Sequence, residues 1–451
     1  MRQQGAAKDR KERFLDSASL TAQLHRRALE FLPGGTSRHH YSFDPWPIVA
    51  SHGVGCRLTD IDGDERIDCL NNMTALIHGH ADPDLVEALA AQAKRGVSFS
   101  EPVEAEVELA QLIVERVPSV AQVHFRASGT EAVMIAVKLA RAFTGRTAVA
   151  KFEGSYHGYY DYVQMSTTPT EANWGEANSP SSVPSSSGLS AHVPMEVVVL
   201  PFNDFEGVER LLATKRSSIA ALLVEPLSNR SGMVMPKPGF YRFLREVTKH
   251  YGILLIFDEV ISFRLGLSGA QGLYGGEPDL TTFGKIIGGG LPIGAVGGKS
   301  DVMAVLSPAS GGTVVSSGGT HSGSALAMVA GLAAMRKVTS AEFSRLDALG
   351  RRLRSGANII MRSRKQLGQV CGDGSLFQVV PTSEELANYR SIPRDQRAND
   401  WLERLHRELL ASGMIISQRG LGCLSTAMNE ADVDQCLEAF DIALGALEQE
   451  H

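Results

Sequence analysis

Short apolar runs alternate with amphipathic stretches along most of this chain. The runs at 219–225 and 253–258 each end at an acidic residue, which is typical of buried parallel strands. Residues 131–143, 204–214 and 240–251 instead repeat apolar positions at helical spacing. Because strand and helix patterns take turns along the sequence, the chain is predicted to have an α/β fold.

The two ends of the chain show different patterns. Residues 1–30 are charged, and their leucines predict one amphipathic helix that docks on another surface; these leucines are Leu15, Leu20, Leu24 and Leu29. Residues 48–68 predict short antiparallel strands joined by an Asp-Gly turn. From residue 341 onward, helices alternate with short strands, which predicts a second, smaller α/β domain.

Lys285 follows a short, partly β-branched run and precedes three glycines, as expected for a lysine at the carboxyl end of a strand. Asp258 ends an earlier predicted strand, and ligands of parallel sheets bind at this edge. A desolvated lysine can attack a carbonyl to form a Schiff base, and pyridoxal phosphate combines such a lysine with an acid at its ring nitrogen. Taken singly, each residue favours a structural interpretation, Lys285 as a surface lysine and Asp258 as a helix cap.

Ser128, Gly129 and Thr130 lie between a short predicted strand and the helix at 131–143. Small residues at such a junction expose backbone N–H groups, and the helix dipole favours an anion there. Phosphate is the natural ligand, although an ordinary Ser/Thr helix cap is the preferred interpretation of this motif in isolation. The stretch has neither the lysine of a Walker loop nor a G-x-G-x-x-G pattern, so neither nucleotide motif is the first choice.

Tyr156 and His157 stand between two glycines after a predicted strand. An aromatic ring there could stack on a flat cofactor, although a Tyr-His pair in a loop is often structural. Residues 166–194 are rich in Ser, Pro and Thr and predict a long surface loop that could act as a lid. Residues 316–323 form another small-residue loop before a helix, which makes them a second candidate phosphate contact.

Composition narrows the classes of partner. With 43% hydrophobic and 21% charged residues and a net charge of −6, the 451-residue chain gives no reason to expect nucleic acid or membrane partners. The polar N-terminus is not a secretory signal, and five scattered cysteines without metal-type spacing predict reduced thiols in a cytoplasmic protein. His78 and His80 have no further ligand at usable spacing, so loop histidines are favoured and no metal is expected.

Taken in order, these landmarks resemble the class III pyridoxal phosphate aminotransferases of fold type I, over nearly the whole chain. The resemblance is closest to the branch that contains glutamate-1-semialdehyde 2,1-aminomutases, D-phenylglycine aminotransferases and β-phenylalanine aminotransferases. The matching stretches are Pro33-Gly-Gly, Asp60-Ile-Asp-Gly, Gly79-His80, Ser128-Gly-Thr-Glu-Ala132, Phe152-Glu-Gly-Ser-Tyr-His-Gly158, Glu225-Pro226, Phe257-Asp-Glu-Val260, Gly284-Lys-Ile-Ile-Gly-Gly-Gly290 and Gly319-Thr320.

The resemblance implies an aspartate aminotransferase-like fold, with a large domain around a mostly parallel seven-stranded sheet and a smaller α/β domain. We expect residues 1–85 to form part of the small domain, residues 86–325 to form the large cofactor-binding domain, and residues 326–451 to form the rest of the small domain. Members of the family also form homodimers with composite active sites.

The same resemblance implies roles for individual residues. Lys285 would hold pyridoxal 5'-phosphate as a Schiff base and act as the acid and base of proton transfer, while Asp258 would pair with the ring nitrogen. The other predicted cofactor-binding residues are Ser128, Gly129 and Thr130 at the phosphate, Thr320 from the second subunit, Tyr156 and Val260 on the two ring faces, and His157 and Glu225.

Arg38 and Arg419 are the predicted substrate-binding residues, since either guanidinium could hold a carboxylate as a fork. Members that act on β-amino acids or aryl-glycines have similar Ser-Arg and Arg-Gly stretches, and the Phe-Glu-Ala-Gly type of sequence found in the aminomutases is absent here. The first hypothesis is therefore an aminotransferase that acts between a β-amino acid or aryl-glycine-like donor and a 2-keto acid. The alternative is an aminomutase of the glutamate-1-semialdehyde type. A third possibility, a pyridoxal-binding protein without catalysis, is disfavoured because Lys285 and Asp258 are both present.

Overall fold

A seven-stranded sheet lies at the centre of the computed structural model, which describes residues 2–38, 45–307 and 315–449. The strands are β1 Ala50–Val54, β2 Arg57–Asp60, β3 Glu65–Asp68, β4 Gln122–Arg126, β5 Ala148–Phe152, β6 Gly175–Glu176, β7 Ser179–Pro180, β8 Val197–Leu200, β9 Ile219–Val224, β10 Leu254–Asp258, β11 Leu280–Gly284, β12 Gly294–Gly298, β13 Gln369–Cys371, β14 Leu376–Val380, β15 Met414–Ile415 and β16 Leu421–Cys423.

Helices cover the sheets and form most of the two ends of the chain. They are α1 Arg2–Leu15, α2 Leu20–Phe31, α3 Asn71–Thr74, α4 Pro83–Arg95, α5 Glu104–Arg116, α6 Gly129–Thr144, α7 Phe205–Lys215, α8 Phe240–Tyr251, α9 Gly269–Tyr274, α10 Ser300–Met303, α11 Ala325–Lys337, α12 Ser340–Ser363, α13 Gln396–Ser412 and α14 Glu430–Gln449. Within the described ranges, no helix combines the length and apolarity needed to cross a membrane.

The large sheet has the strand order β4-β12-β11-β10-β9-β5-β8. β12 runs antiparallel to both of its neighbours, whereas the other pairs are parallel. The prediction of a mostly parallel sheet is therefore confirmed. In the parallel pair β10–β11, Asp258 lies opposite Thr282, three residues before Lys285. The register thus brings the ends of two predicted strands to the same edge of the sheet.

Apolar residues fill both faces of the large sheet, which explains why its strands are nearly continuous in hydrophobicity. On one face, α6 packs its buried side, including Val133 and Leu139, against the strands. On the other face, α7 and α8 contribute Leu212, Phe240 and Leu244. Both faces of the sheet are therefore covered by helices, and polar groups meet at the strand ends.

Besides the two-stranded hairpin β6–β7, the described chain has two further small sheets outside the large one. One has the order β1-β2-β3-β15, with the β1–β2–β3 portion antiparallel, as predicted for this hairpin region. In it, Ile67 of β3 pairs with Met414 of β15, so the N-terminal segment shares a sheet with the C-terminal region. The other has the order β13-β14-β16. The residue boundaries of the expected domains stay a prediction.

The N-terminal region contains two helices, so the prediction of one amphipathic helix over residues 1–30 is wrong. Residues 16–19 interrupt it because Ser19 caps α2 by accepting a hydrogen bond from the Ala22 N–H. The Asp62 carboxylate also accepts hydrogen bonds from the Leu20 and Thr21 N–H groups, which fixes the new helix start. Of the predicted leucines, Leu15, Leu20 and Leu29 are between 49% and 55% exposed.

Candidate functional site

Lys285 lies directly after β11, where the chain turns into a short 3-10 segment, Lys285–Gly288. Its backbone φ of 52° falls in the left-handed region, which is strained for a residue with a side chain and is often retained at functional sites. Lys285 as a whole is only partly exposed. In the described parts of the chain, its amine makes no hydrogen bond or ion pair. The amine is therefore free of competing protein partners.

Burial lowers the pKa of Lys285 from its usual value to about 8, while the Glu225 and Asp258 carboxylates nearby limit the decrease. An amine with this pKa is about half neutral near pH 8, and only the neutral form attacks a carbonyl. The environment of Lys285 thus fits a lysine that captures an aldehyde.

Asp258 ends β10 and is buried beside Lys285's strand. One carboxylate oxygen, Oδ2, lies 2.7 Å from His157 Nδ1. The other, Oδ1, accepts hydrogen bonds from Thr282 Oγ1 at 2.9 Å and from the Val260 N–H at 3.2 Å. These three donors hold the carboxylate in one orientation, so it is suited to accept a further hydrogen bond from a ring N–H.

His157 is itself fixed at both ring nitrogens. Its Nε2 lies 3.0 Å from Ser155 Oγ, whose hydroxyl donates to the Phe152 carbonyl at 2.7 Å. Because its side chain has no exposed surface, the imidazole cannot exchange these partners for water. His157 therefore positions Asp258.

The Ser128–Thr130 stretch forms the start of α6. Ser128 Oγ accepts a hydrogen bond from the Glu131 N–H, so Ser128 is a helix cap, and the cap does not preclude an anion at the free N–H groups of the first turn. The turn is closely packed: a Cβ at Gly129 would lie 3.1 Å from both Val260 methyl carbons. A Cβ at Gly294 would lie 2.0 Å from the Ser128 carbonyl oxygen. Glycines at these positions let β12 and Val260 approach the helix start.

Val260 and Tyr156 connect these parts of the site. A Cβ added at Gly129 or at Gly284 would lie 3.1 or 3.3 Å from a Val260 methyl carbon, so Val260 lies between the helix start and the residue before Lys285. The Tyr156 N–H donates to Glu225 Oε2 at 3.1 Å. Glu225 is 4% exposed, and burial raises its pKa. The structure thus joins the Tyr156 loop to the end of β9 through one buried carboxyl group.

These side chains fit the three chemical parts of pyridoxal phosphate. Lys285 supplies an amine of lowered pKa for an aldehyde, Asp258 supplies a fixed buried acceptor for a ring nitrogen, and the start of α6 supplies N–H groups for a phosphate. The predicted residues that meet at one edge of the sheet are therefore Lys285, Asp258, His157, Val260, Gly129, Ser128, Tyr156 and Glu225.

Three predicted residues lie at the margin of this arrangement. Arg38 is exposed, and its Nη1 donates to Asn72 Oδ1 at 2.9 Å. Arg419 is exposed in the turn before β16, and its carbonyl accepts a hydrogen bond from Gln378 Nε2. Thr320 is exposed in the loop before α11, and no hydrogen bond within the described chain joins it to Ser128–Thr130. A role for Thr320 at the phosphate would require a second subunit.

Sequence reasoning missed several polar residues at this edge. Thr282 supports Asp258, and its place three residues before Lys285 could have suggested it. Lys151 is a second buried lysine, whose pKa burial lowers to about 7, but its amine donates to the Met165 carbonyl at 2.6 Å. Arg230 follows the Glu225-Pro226 motif by a few residues, and that position is the sequence signal for it. Arg394, which donates to the Arg230 carbonyl, has no sequence signal beyond its charge.

The loop at 166–194 is anchored by a residue from the C-terminal part of the chain, Arg390. Its short hairpin, β6–β7, is held by Arg390, whose guanidinium donates to the carbonyls of Trp174 and Gly175 at 2.8 Å each. Arg390 also makes two hydrogen bonds to Glu153, at 2.7 and 2.9 Å. Arg390 therefore holds this loop next to Glu153, the residue that follows β5.

Comparison with known proteins identifies the family. The family model for aminotransferase class-III matches residues 40–444. A glutamate-1-semialdehyde 2,1-aminomutase of Methanothermobacter thermautotrophicus is 40% identical over 94% of this chain and 99% of its own length.

Among solved structures, an omega-transaminase from Sphaerobacter thermophilus is 46% identical with a TM-score of 0.93, over 96% of this chain and 98% of that one. A transaminase solved with pyridoxal phosphate bound is 38% identical with a TM-score of 0.87, over 96% of this chain and 99% of that one. These similarities, together with the mixed seven-stranded sheet, establish fold type I and pyridoxal phosphate as the cofactor. The chain belongs to the class III aminotransferases, a family of pyridoxal phosphate-dependent enzymes.

Proposed function

We propose that this enzyme moves the amino group of a carboxylate-bearing amino compound, with Lys285 as the residue that holds the cofactor and transfers the proton. The observation that carries the proposal is the Lys285 amine, which has a pKa of about 8 and lies one strand away from the buried carboxylate of Asp258. Bound pyridoxal phosphate would supply an electron sink for the carbon that loses its proton.

The surrounding residues would orient the cofactor. Asp258, held by His157 and Thr282, would accept a hydrogen bond from the ring nitrogen. Tyr156 and Val260 would contact the two ring faces. The remaining roles are phosphate binding by Ser128, Gly129 and Thr130, phosphate contact by Thr320 from the second subunit of a homodimer, and support of the Tyr156 loop by Glu225.

The finer reaction has two candidates. The name of the aminomutase relative at 40% identity supports transfer within one molecule, and it supports that alternative better than the transfer between two molecules that the sequence analysis places first. Transfer between an amino acid and a keto acid remains the second candidate, because the omega-transaminase structure has the higher identity, 46%. Both reactions use the same lysine, acid and phosphate contacts.

Half-reactions separate these candidates. An aminomutase given glutamate-1-semialdehyde alone should release an amino-shifted isomer without any keto acid. An aminotransferase given β-phenylalanine should release the keto product in an amount equal to the enzyme, leave the cofactor in its amine form, and turn over only when 2-oxoglutarate or pyruvate is added. A protein that does neither would contradict the proposal.

The role of Lys285 has its own test. Borohydride should fix the cofactor covalently to the wild-type protein but not to Lys285→Ala, which should also lose turnover. Lys151→Met is the matched control, because Lys151 is also buried with a lowered pKa but donates to the Met165 carbonyl. Covalent fixation that survives in Lys285→Ala would overturn the assignment.

A further inference from the structure

Three arginines beside the site have no acidic partner. Arg390 pairs with Glu153, but no ion pair in the described chain involves Arg230, Arg394 or Arg419. Positive side chains that are partly removed from water and unpaired are costly unless an anion approaches them.

Arg230 is half-buried on the 3-10 turn Asn229–Ser231, a few residues after Glu225. Its guanidinium carbon lies 4.8 Å from the centre of the Tyr156 ring, within the range of a cation–π contact. Its guanidinium makes no hydrogen bond to any described residue. Burial lowers the pKa of Arg230, and the positive charge of Arg419 lowers it further. The contact with the Tyr156 ring orients the Arg230 guanidinium, and its five N–H donors stay available to a ligand.

The turn that carries Arg230 is held from two sides. Asn229 Nδ2 donates to Glu225 Oε1 at 3.2 Å. Arg394 Nη2 donates to the Arg230 carbonyl at 2.7 Å, and the Arg394 guanidinium stacks 3.7 Å from the centre of the Tyr389 ring. Arg230 is therefore placed in advance, so little conformational entropy would be lost when it binds.

Arg394, which donates to the Arg230 carbonyl, adds positive charge to the same region. Its Nε atom is buried and has no hydrogen-bond partner. Arg394 and Arg419 give the region around Arg230 a local excess of positive charge, which the nearby acidic residues do not balance. Glu153 is already paired with Arg390, and Glu225 accepts from Tyr156 and Asn229.

We propose that Arg230 binds a carboxylate of the substrate as a fork, beside the Tyr156 ring. A carboxylate suits this position because its two oxygens match the two outer N–H groups of a guanidinium. The inference rests on the proposed function, since it assigns a carboxylate contact within the same amino-transfer site. It also adds to the sequence prediction, in which only Arg38 and Arg419 contact the substrate carboxylate.

The test compares amines with and without a carboxylate on the holoenzyme. In Arg230→Met, KM for β-phenylalanine should rise by about 10-fold or more, with a smaller change in kcat, whereas KM for 1-phenylethylamine should not rise. Arg230→Lys should recover only part of the loss, because an ammonium cannot form the fork. Equal changes for both amines would mean that Arg230 only supports Tyr156, and the proposal would fall.

A binding measurement keeps the test independent of turnover. Calorimetry should show glutarate binding to the holoenzyme, weaker binding of its neutral diamide, and about 10-fold weaker glutarate binding in Arg230→Met. Arg141→Met is the matched control, because Arg141 also stacks on a tyrosine, 3.9 Å from the Tyr162 ring centre. If neither amine nor glutamate-1-semialdehyde turns over but the glutarate result holds, the proposed function fails and the assignment of Arg230 as a carboxylate contact stands. Glutarate binding that is absent, or unchanged in Arg230→Met, overturns the assignment.

Discussion

His157 Nδ1 lies 2.7 Å from Asp258 Oδ2, and both side chains are almost completely shielded from water. His157 belongs to the loop after β5, whereas Asp258 is the last residue of β10, so the contact joins this loop to the end of β10. Hydrogen bonds between an imidazole and a carboxylate are strong in such an environment because no solvent competes. The contact therefore sets the orientation of the acid on which the cofactor ring would depend.

Replacement of the His157 imidazole should lower kcat, although Lys285 is retained. In His157→Phe, which keeps an aromatic ring, we expect kcat to fall about 10- to 100-fold, as expected for the loss of a hydrogen bond to a charged group. The absorption maximum of the bound cofactor should also shift, because its ring nitrogen would face a less ordered carboxylate. Ser155→Ala removes the contact to Nε2 and the hydrogen bond to the Phe152 carbonyl but leaves the His157–Asp258 contact, so it should have a smaller effect. Wild-type kcat and spectrum in His157→Phe would refute the role.

The lowered pKa of Lys285 predicts how cofactor uptake depends on pH. The neutral amine is the reactive form, so the rate at which the cofactor-free protein captures pyridoxal phosphate should rise with pH and level off above a midpoint near 8. Stopped-flow absorbance at constant ionic strength would measure this rate. Because Asp258 raises the pKa of Lys285, the midpoint in Asp258→Asn should move to lower pH. A midpoint near 10.5, the usual lysine value, would contradict the burial of the amine.

The parts of the site on the sheet could be predicted from the sequence. Apolar runs identified β10 and β11, and the rule that parallel strands end at a common edge placed Asp258 beside Lys285. The start of α6 was predictable for the same reason, because Ser128 stands between a strand and an amphipathic helix. The strand register fixes which polar residue lies at the end of each strand. The local sequence pattern therefore predicts which of these residues lie close together in the fold.

The surroundings of Tyr156 could not be predicted in this way. Arg230, Arg394 and Arg419 come from three separate loops, and their proximity depends on how the C-terminal region packs against the large sheet. No periodic pattern encodes that packing. The prediction of one helix over residues 1–30 is wrong because it does not take account of Ser19. Serine is a good helix cap, so Ser19 indicates that a second helix begins there.

A methyl group at Gly294 should disturb the start of α6. The added Cβ of Gly294→Ala would lie 2.0 Å from the Ser128 carbonyl oxygen and 3.0 Å from the Gly129 nitrogen, so β12 and the helix start must separate. We expect about 1–3 kcal/mol of destabilisation and a higher Kd for pyridoxal phosphate. Denaturant unfolding and cofactor titration would measure the two effects. Gly266→Ala, whose Cβ would meet only ordinary contacts at 3.5 Å or more, is the control. A Kd equal to that of wild type would separate this turn from the cofactor.

Arg38 and Arg419 give a prediction about substrate affinity. If either arginine holds a substrate carboxylate, its replacement by Ala should raise KM for the acid substrate. The increase should correspond to a loss of roughly 1.5–3 kcal/mol of binding free energy, the value of a hydrogen bond to a charged group. Arg38 already donates to Asn72, so Asn72→Ala serves as a control for simple loop disorder. Steady-state kinetics on both variants would measure the change, and wild-type KM in both would exclude these two residues from substrate binding.

The contact of Arg390 with Glu153 gives a final prediction, on the loop at 166–194. Arg390→Ala removes both hydrogen bonds to Glu153 and both contacts to the Trp174 and Gly175 carbonyls, and it leaves a carboxylate that is only 5% exposed without a partner. Loss of one member of a buried pair costs about 3–5 kcal/mol, so the loop should open before the sheet unfolds.

Limited proteolysis should then cut Arg390→Ala near residues 170–178 faster than wild type, while the large sheet stays folded by circular dichroism. Arg390→Lys, which keeps the charge but has fewer donors, should lie between the two. The double variant Glu153→Gln with Arg390→Ala tests the cause, because removing the unpaired charge should restore part of the stability lost in Arg390→Ala. If all four proteins were cut at the same rate, Arg390 would not be the residue that fastens this loop.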